Sequence, residues 1–293
     1  MVLFIPGDKK IPETRVDGVH LIWFLLRITH TVGRKTGKSI SKWSISKCLY
    51  RNSKPKYFSI PHSLTSFLYH RFKDDQMDEQ GVRVIGVDFD TYLSSWGNTC
   101  SKESFKRTLN DRSTEILAKL KESGVGKRPV IFVGHSMGGL IIKRMLAESE
   151  ENNDNDFVKN TKGIVFYSTP HNGTHVAKLN AGSKLLFFPS TEVQDLEANS
   201  PALNILHQTF LDVAKRFKMK IVSFGETVPT PYMGLDITFV PGDSSDPGYG
   251  EHYKVGQNHM NICKPSSKKS KLYRKVINLV WDELDNVHEM SEP

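Results

Sequence analysis

Four absences narrow this chain before any motif is read. Cysteine is scarce: Cys48, Cys100 and Cys263 are odd in number, with no C-x-x-C and no histidine-paired spacing. Neither a disulfide scaffold nor a structural zinc site is expected, and a reduced compartment is the simplest reading. Long apolar runs are missing as well. The longest clean one is Leu21–Leu26, far short of the roughly 20 residues that a membrane-spanning helix needs. The opening stretch Met1–Lys10 ends in charge rather than in a small-residue cleavage site, so no secretory signal is read there. No repeat of 20–50 residues appears, which excludes solenoids and propellers.

What is present is globular. With 38% hydrophobic and 25% charged residues the composition excludes disorder for most of the chain. Its 293 residues suffice for a large core without staples. The net charge of +8 is unevenly spread, because residues 1–60 hold 12 Lys/Arg against Asp8, Glu13 and Asp17. The remainder, with 28 basic and 29 acidic side chains, is nearly neutral. Residues 1–60 are therefore expected to be a basic, poorly ordered or divergent segment, with 61–293 as the main domain. A solvated tail is the plain reading of that segment, and peripheral contact with an anionic membrane is the alternative. No aromatic interleaving accompanies the charge, so no nucleic-acid partner is expected. The run Val19–Leu26 reads as core before it reads as a bilayer contact.

Beyond this segment, strands alternate with helices. Gly81–Asp90, Pro129–Gly134, Gly163–Ser168, Lys220–Gly225 and Asp236–Pro241 read as strands. Glu103–Ser123, Gly138–Glu150, a helix opening at Ser200-Pro201, and Ser270–Val287 carry apolar residues at steps of three and four. Ser149–Asp156 is polar and acidic and reads as a solvated loop. Such alternation predicts an α/β fold, a mostly parallel sheet with helices on both faces.

The chemistry is expected at Gly134-His135-Ser136-Met137-Gly138-Gly139. A serine hydroxyl becomes a useful nucleophile only where a base can take its proton. A G-x-S-x-G turn between a buried strand and a helix projects it into such a place, and the alternative is an ordinary tight turn. The N–H of Met137, at the head of the helix, would face the developing oxyanion. Partners should follow in the order acid, then histidine. His259 lies after the last strand and before the last helix, the station of a general base. His171 comes too early and reads, with Pro170, as lining or bracing the site. His135 is expected to face away from Ser136. For the acid, Glu226 directly follows a strand, and Asp243 and Asp246 are its rivals. No cofactor and no metal are required.

These residues resemble a known family. Arg128-Pro129-Val130 running into Gly134–Gly139, the stretch Gly163–His171, Phe187–Pro189, Ser200–Leu203, Phe224–Pro229 and Asn258–Pro265 together resemble the serine active site-containing protein 1 family. The resemblance covers about 200 residues. It implies a lipase-like α/β-hydrolase fold, a lipid ester substrate, and phospholipid remodelling where mitochondria and endoplasmic reticulum meet. It implies Ser136 as nucleophile and His259 as base. In that family a strand ending in His-Gly supplies the second oxyanion donor. Val2–Gly7 is similar to that strand, but Pro6 replaces the histidine and Asp8 follows Gly7. On this reading the second donor near Gly7 is impaired, and a non-catalytic lipid- or partner-binding protein is the alternative to an enzyme.

Overall fold

The computed structural model describes residues 2–4, 18–28, 81–91, 108–174, 200–232 and 235–291. Cys48, Cys100, Gly7, Phe187–Pro189 and most of the basic segment lie outside the described residues.

Among the described residues, seven strands form one sheet in the order β1-β3-β2-β4-β5-β6-β9. They are β1 (Val2–Phe4), β2 (His20–Ile28), β3 (Arg83–Thr91), β4 (Val130–His135), β5 (Thr161–Tyr167), β6 (Lys220–Glu226) and β9 (Glu251–Val255). Every neighbouring pair is parallel except β1 against β3 at the edge. Parallel strands covered on both faces must be apolar throughout, and the side-chain alternation decides which face each residue serves.

Ile22, Phe24, Phe132, Ile164 and Phe166 point to one side. There they meet α1 (Leu109–Glu122), α2 (Met137–Glu151), α3 (Asn155–Asn160) and α4 (Pro201–Arg216). Leu21, Trp23, Ile131, Val133, Val165 and Phe224 point to the other side, against α5 (Lys271–Ser291). Each such apolar side chain, fully buried, contributes about 1.5–3 kcal/mol.

The predicted α/β architecture with a mostly parallel sheet is what the chain adopts, and several boundaries differ for physical reasons. Helix α1 starts at Leu109 because Thr108 and Asp111 form a reciprocal cap: Asp111 N–H donates to Thr108 Oγ1 at 3.2 Å, and Thr108 N–H donates to Asp111 Oδ2 at 2.9 Å. The expected loop over 149–156 is mostly helix. α2 continues through Glu151, and α3 begins directly after Asp154, whose carboxylate accepts from Phe157 N–H.

The strand expected over Asp236–Pro241 is not part of the sheet. Leu235–Ile237 (β8) pairs only with Thr230–Tyr232 (β7) in a small hairpin. The sheet's last strand is β9, which the sequence reading passed over.

The largest correction concerns residues 1–60. Strand β2 lies in the middle of the sheet between β3 and β4, with Val19 to Phe24 buried. These residues are core and offer no surface to a bilayer. Part of the segment set apart by its charge thus belongs to the sheet of the main domain.

Candidate active site

Strand β4 delivers the chain into α2 through Ser136, whose backbone sits at φ 54° and ψ −126°. A non-glycine residue at positive φ is strained, and it persists only where the surroundings fix it. Here the surroundings leave no slack. A Cβ on Gly134 would come within 2.7 Å of the Gly139 backbone, and one on Gly138 within 2.9 Å of Phe24 Cβ. The two glycines let α2 begin directly against β4 and β2, which turns the serine outward at the carboxyl ends of the strands.

His259 lies between β9 and α5, and Glu226 ends β6. The three side chains meet in one line. His259 Nε2 is 3.0 Å from Ser136 Oγ, and His259 Nδ1 is 2.5 Å from Glu226 Oε2. All three residues are at least nine-tenths buried. The other carboxylate oxygen of Glu226 accepts from Phe239 N–H at 2.8 Å and Val240 N–H at 3.3 Å. That is why the apolar stretch ending in Phe239-Val240 is not a sheet strand: its donors face a carboxylate. The Phe239 ring stacks on His259 at 4.9 Å.

The rival acids stand elsewhere. Asp243 is exposed and accepts from the N–H of its neighbour Ser244, and Asp246 is exposed and accepts from Gly248 N–H. Met137 is the first residue of α2, so its N–H belongs to the helix turn that has no intrahelical acceptor.

His135 is buried and turned away from Ser136 Oγ. Its Nε2 donates to the His259 carbonyl at 2.8 Å. Burial, with His259 beside it, pushes its pKa down to about 3. Pro170 and His171 are both buried. His171 N–H donates to Ser244 O at 2.8 Å, and its Nδ1 lies 3.4 Å from Lys143 Nζ, so its main chain braces a loop while its ring meets Lys143 of α2. Thr230, which accepts from His259 N–H through Oγ1 at 3.0 Å, was missed. A lone threonine opening a three-residue strand carries no sequence signal.

One expectation falls on topology. Val2–Phe4 is an edge strand, separated from β4 by β3 and β2. The strand beside β4 is β2, with Phe24 opposite Gly134. The impairment read at Pro6-Gly7 therefore concerns a strand that is not the neighbour of the elbow, and Gly7 itself lies outside the described residues. Among the described residues no group of His, Cys, Asp and Glu could hold a metal ion, and no helix is long and apolar enough to cross a membrane. Cys263 is buried, and that burial raises its thiol to about 12.

Known proteins resemble this chain in sequence and in fold. Protein SERAC1 of Danio rerio is 46% identical over 210 residues, covering 71% of this chain and 32% of that protein. Protein SERAC1 of Homo sapiens is 40% identical over the same coverage. These relatives bear out the resemblance read from the motifs, and the chain spans about a third of their length. Among solved structures, lipase BlEst2 of Bacillus licheniformis in its mature form superposes with a TM-score of 0.52 at 13% identity, covering 97% of this chain and 98% of that one. Phospholipase PlaB of Legionella pneumophila gives 0.53 at 11%, covering 92% and 65%. At such identities the likeness speaks for the fold alone, a lipase-like α/β hydrolase. A family model described as the PGAP1-like alpha/beta domain matches residues 51–203, a stretch that carries β3, the elbow and β5, and this chain belongs to that family.

Proposed function

We propose that this chain is a serine hydrolase of the carboxylic-ester type acting on a lipid ester. The observation that carries the reading is the buried hydrogen-bonded line from Ser136 Oγ through His259 to Glu226. In the reaction, Ser136 Oγ attacks the ester carbonyl carbon while His259 Nε2 takes its proton. The tetrahedral oxyanion is met by Met137 N–H at the head of α2. His259 then returns the proton to the departing alcohol as the carbon–oxygen bond breaks, leaving an acyl group on Ser136. Glu226 holds the imidazole in the tautomer that leaves Nε2 free to accept, and its charge stabilises the imidazolium. Water, or a hydroxyl of another lipid, attacks the acyl-enzyme in the second half.

Two features support a lipid rather than a polar ester. The relatives and fold neighbours point to lipase-like proteins, and Val228 and Leu235 stand exposed around the hairpin that touches His259. The family resemblance extends the reading to phospholipid remodelling at contacts between mitochondria and endoplasmic reticulum. The basic N-terminal segment suits peripheral attachment to anionic lipid, and liposome binding should then weaken steeply with salt.

The test is a fluorophosphonate probe followed by peptide mass spectrometry, alongside turnover of phospholipid vesicles with product analysis. An adduct on Ser136 is expected, and free fatty acid or a transferred acyl chain distinguishes hydrolysis from transacylation. An adduct confined to a different serine, or none, overturns the reading.

A further inference from the structure

A general base on a loop is only as well aimed as its backbone. His259 sits in the irregular stretch between β9 and α5, with no sheet ladder to hold it. Its main chain is nevertheless tied at both ends by side chains. The N–H donates to Thr230 Oγ1 of β7 at 3.0 Å, and the carbonyl accepts from His135 Nε2 at 2.8 Å. Both tethers are buried, His135 at 5% and Thr230 at 4% exposure.

The two anchors belong to different sheets. Thr230 belongs to a two-stranded hairpin. His135 is the last residue of β4, in register with Tyr167 of β5, and it immediately precedes Ser136. The His135 contact therefore joins the loop that bears the histidine to the residue next to the serine, at the end of a strand paired on both sides. A carbonyl only accepts, so the ring hydrogen of neutral His135 must sit on Nε2. The two imidazole rings lie 4.9 Å apart, close enough that a charged His135 would oppose charge on His259.

We propose that His135 is a positioning residue: by donating its Nε2–H to the His259 carbonyl it fixes the pose of His259 against Ser136, with Thr230 as the second tether. This rests on the reading of His259 as the general base. A displacement of about 1 Å at a reacting group costs about 10²-fold in rate.

The experiment compares His135→Phe, which keeps a buried ring and removes the donor, with His135→Gln, which carries an amide N–H at a similar reach. With a chromogenic short-chain ester, kcat is expected to fall about 10²-fold in His135→Phe with KM little changed. His135→Gln should recover most of the loss. Thr230→Val and Thr230→Ser form a parallel pair, expected to lose and to retain activity, and they decide the matter if His135→Phe does not fold.

A second readout is the proton NMR signal of His259 Nδ1–H, hydrogen-bonded to Glu226. It should shift and broaden in His135→Phe and return in His135→Gln. Wild-type turnover in His135→Phe, or equal losses in the Phe and Gln variants with unaltered Nδ1–H signals, would overturn the proposal. A wild type that neither turns over nor labels breaks the hydrolase reading instead, and the NMR signal still decides whether His135 sets the pose of His259.

Discussion

Helix α2 has a buried histidine group at its head and another two turns along, and the two are opposites. At the head, His259 lies between Ser136 and the carboxylate of Glu226. Further along, Lys143, fully buried, sets its amine 2.9 Å from His207 Nδ1 and 3.4 Å from His171 Nδ1. Both imidazoles are held below the usual histidine value, by burial first and by Lys143 next, and His207 reaches about 4. Burial in turn presses the Lys143 amine down to about 7. The ring is the same in both groups, and its partner decides its role. A carboxylate stabilises a ring that takes up a proton, whereas an ammonium favours one that stays neutral and accepts a hydrogen bond. The first group suits proton transfer, and the second suits a structural role in which protonation is a cost.

The strongest break of this contrast is Ser136→Ala. It should reduce ester turnover by roughly 10⁶-fold while near-UV circular dichroism stays unchanged. Next comes the acid. Glu226→Gln keeps the hydrogen-bonding shape but loses the charge, and turnover should fall about 10⁴-fold. Asp243→Asn, on an exposed turn, should leave turnover almost untouched. The reverse ranking would move the acid to Asp243.

The second group is probed by stability rather than rate. Lys143 has a folded value of about 7 against 10.5 for an ordinary lysine. Between these values the unfolded chain binds a proton that the folded chain does not. Stability contributed by this group therefore rises with pH across that window, and below about 7 the full cost of burying the charge remains. Urea melts of wild type and Lys143→Met should diverge by about 1 kcal/mol per pH unit between pH 7 and 10, the wild type gaining. Parallel curves would show that the amine is ionised in the folded state throughout. The smallest effect is expected for His171→Gln, which should alter stability yet leave kcat close to wild type.

Much of the candidate site was legible because its parts carry strong local signals. Gly134-His135-Ser136-Met137-Gly138 between an apolar strand and an amphipathic helix can only be a tight crossing, Glu226 closes a strand that the periodicity reveals, and His259 precedes a helix that it reveals. Other parts carried weak or misleading signals. Strand β9 reads Glu251-His252-Tyr253-Lys254-Val255, a polar edge with no apolar run to betray it. Phe239 and Val240 are apolar and mimic a strand, but their N–H groups serve Glu226. Residues His20–Ile28 have a strand's composition, yet composition says nothing of which neighbours a strand will find, and Val2–Gly7 was given their place. The Thr108–Asp111 cap was in plain sight as T-x-x-D and went unused.

The position of β2 has a consequence for how the chain is made. It leaves the ribosome before both of the strands it ends between, β3 and β4, with His20 paired to both Arg83 and Val130. Until Arg83 and then Val130 have been synthesised, both of its edges are open ladders of unpaired N–H and C=O groups along an apolar sequence. Such contacts, distant along the chain, assemble slowly, and an open apolar edge is a template for pairing with another copy. A nascent chain stalled before Val130 would therefore be the species most prone to aggregate, and a chaperone that holds His20–Ile28 would raise the yield of folded protein more than one acting on the later strands.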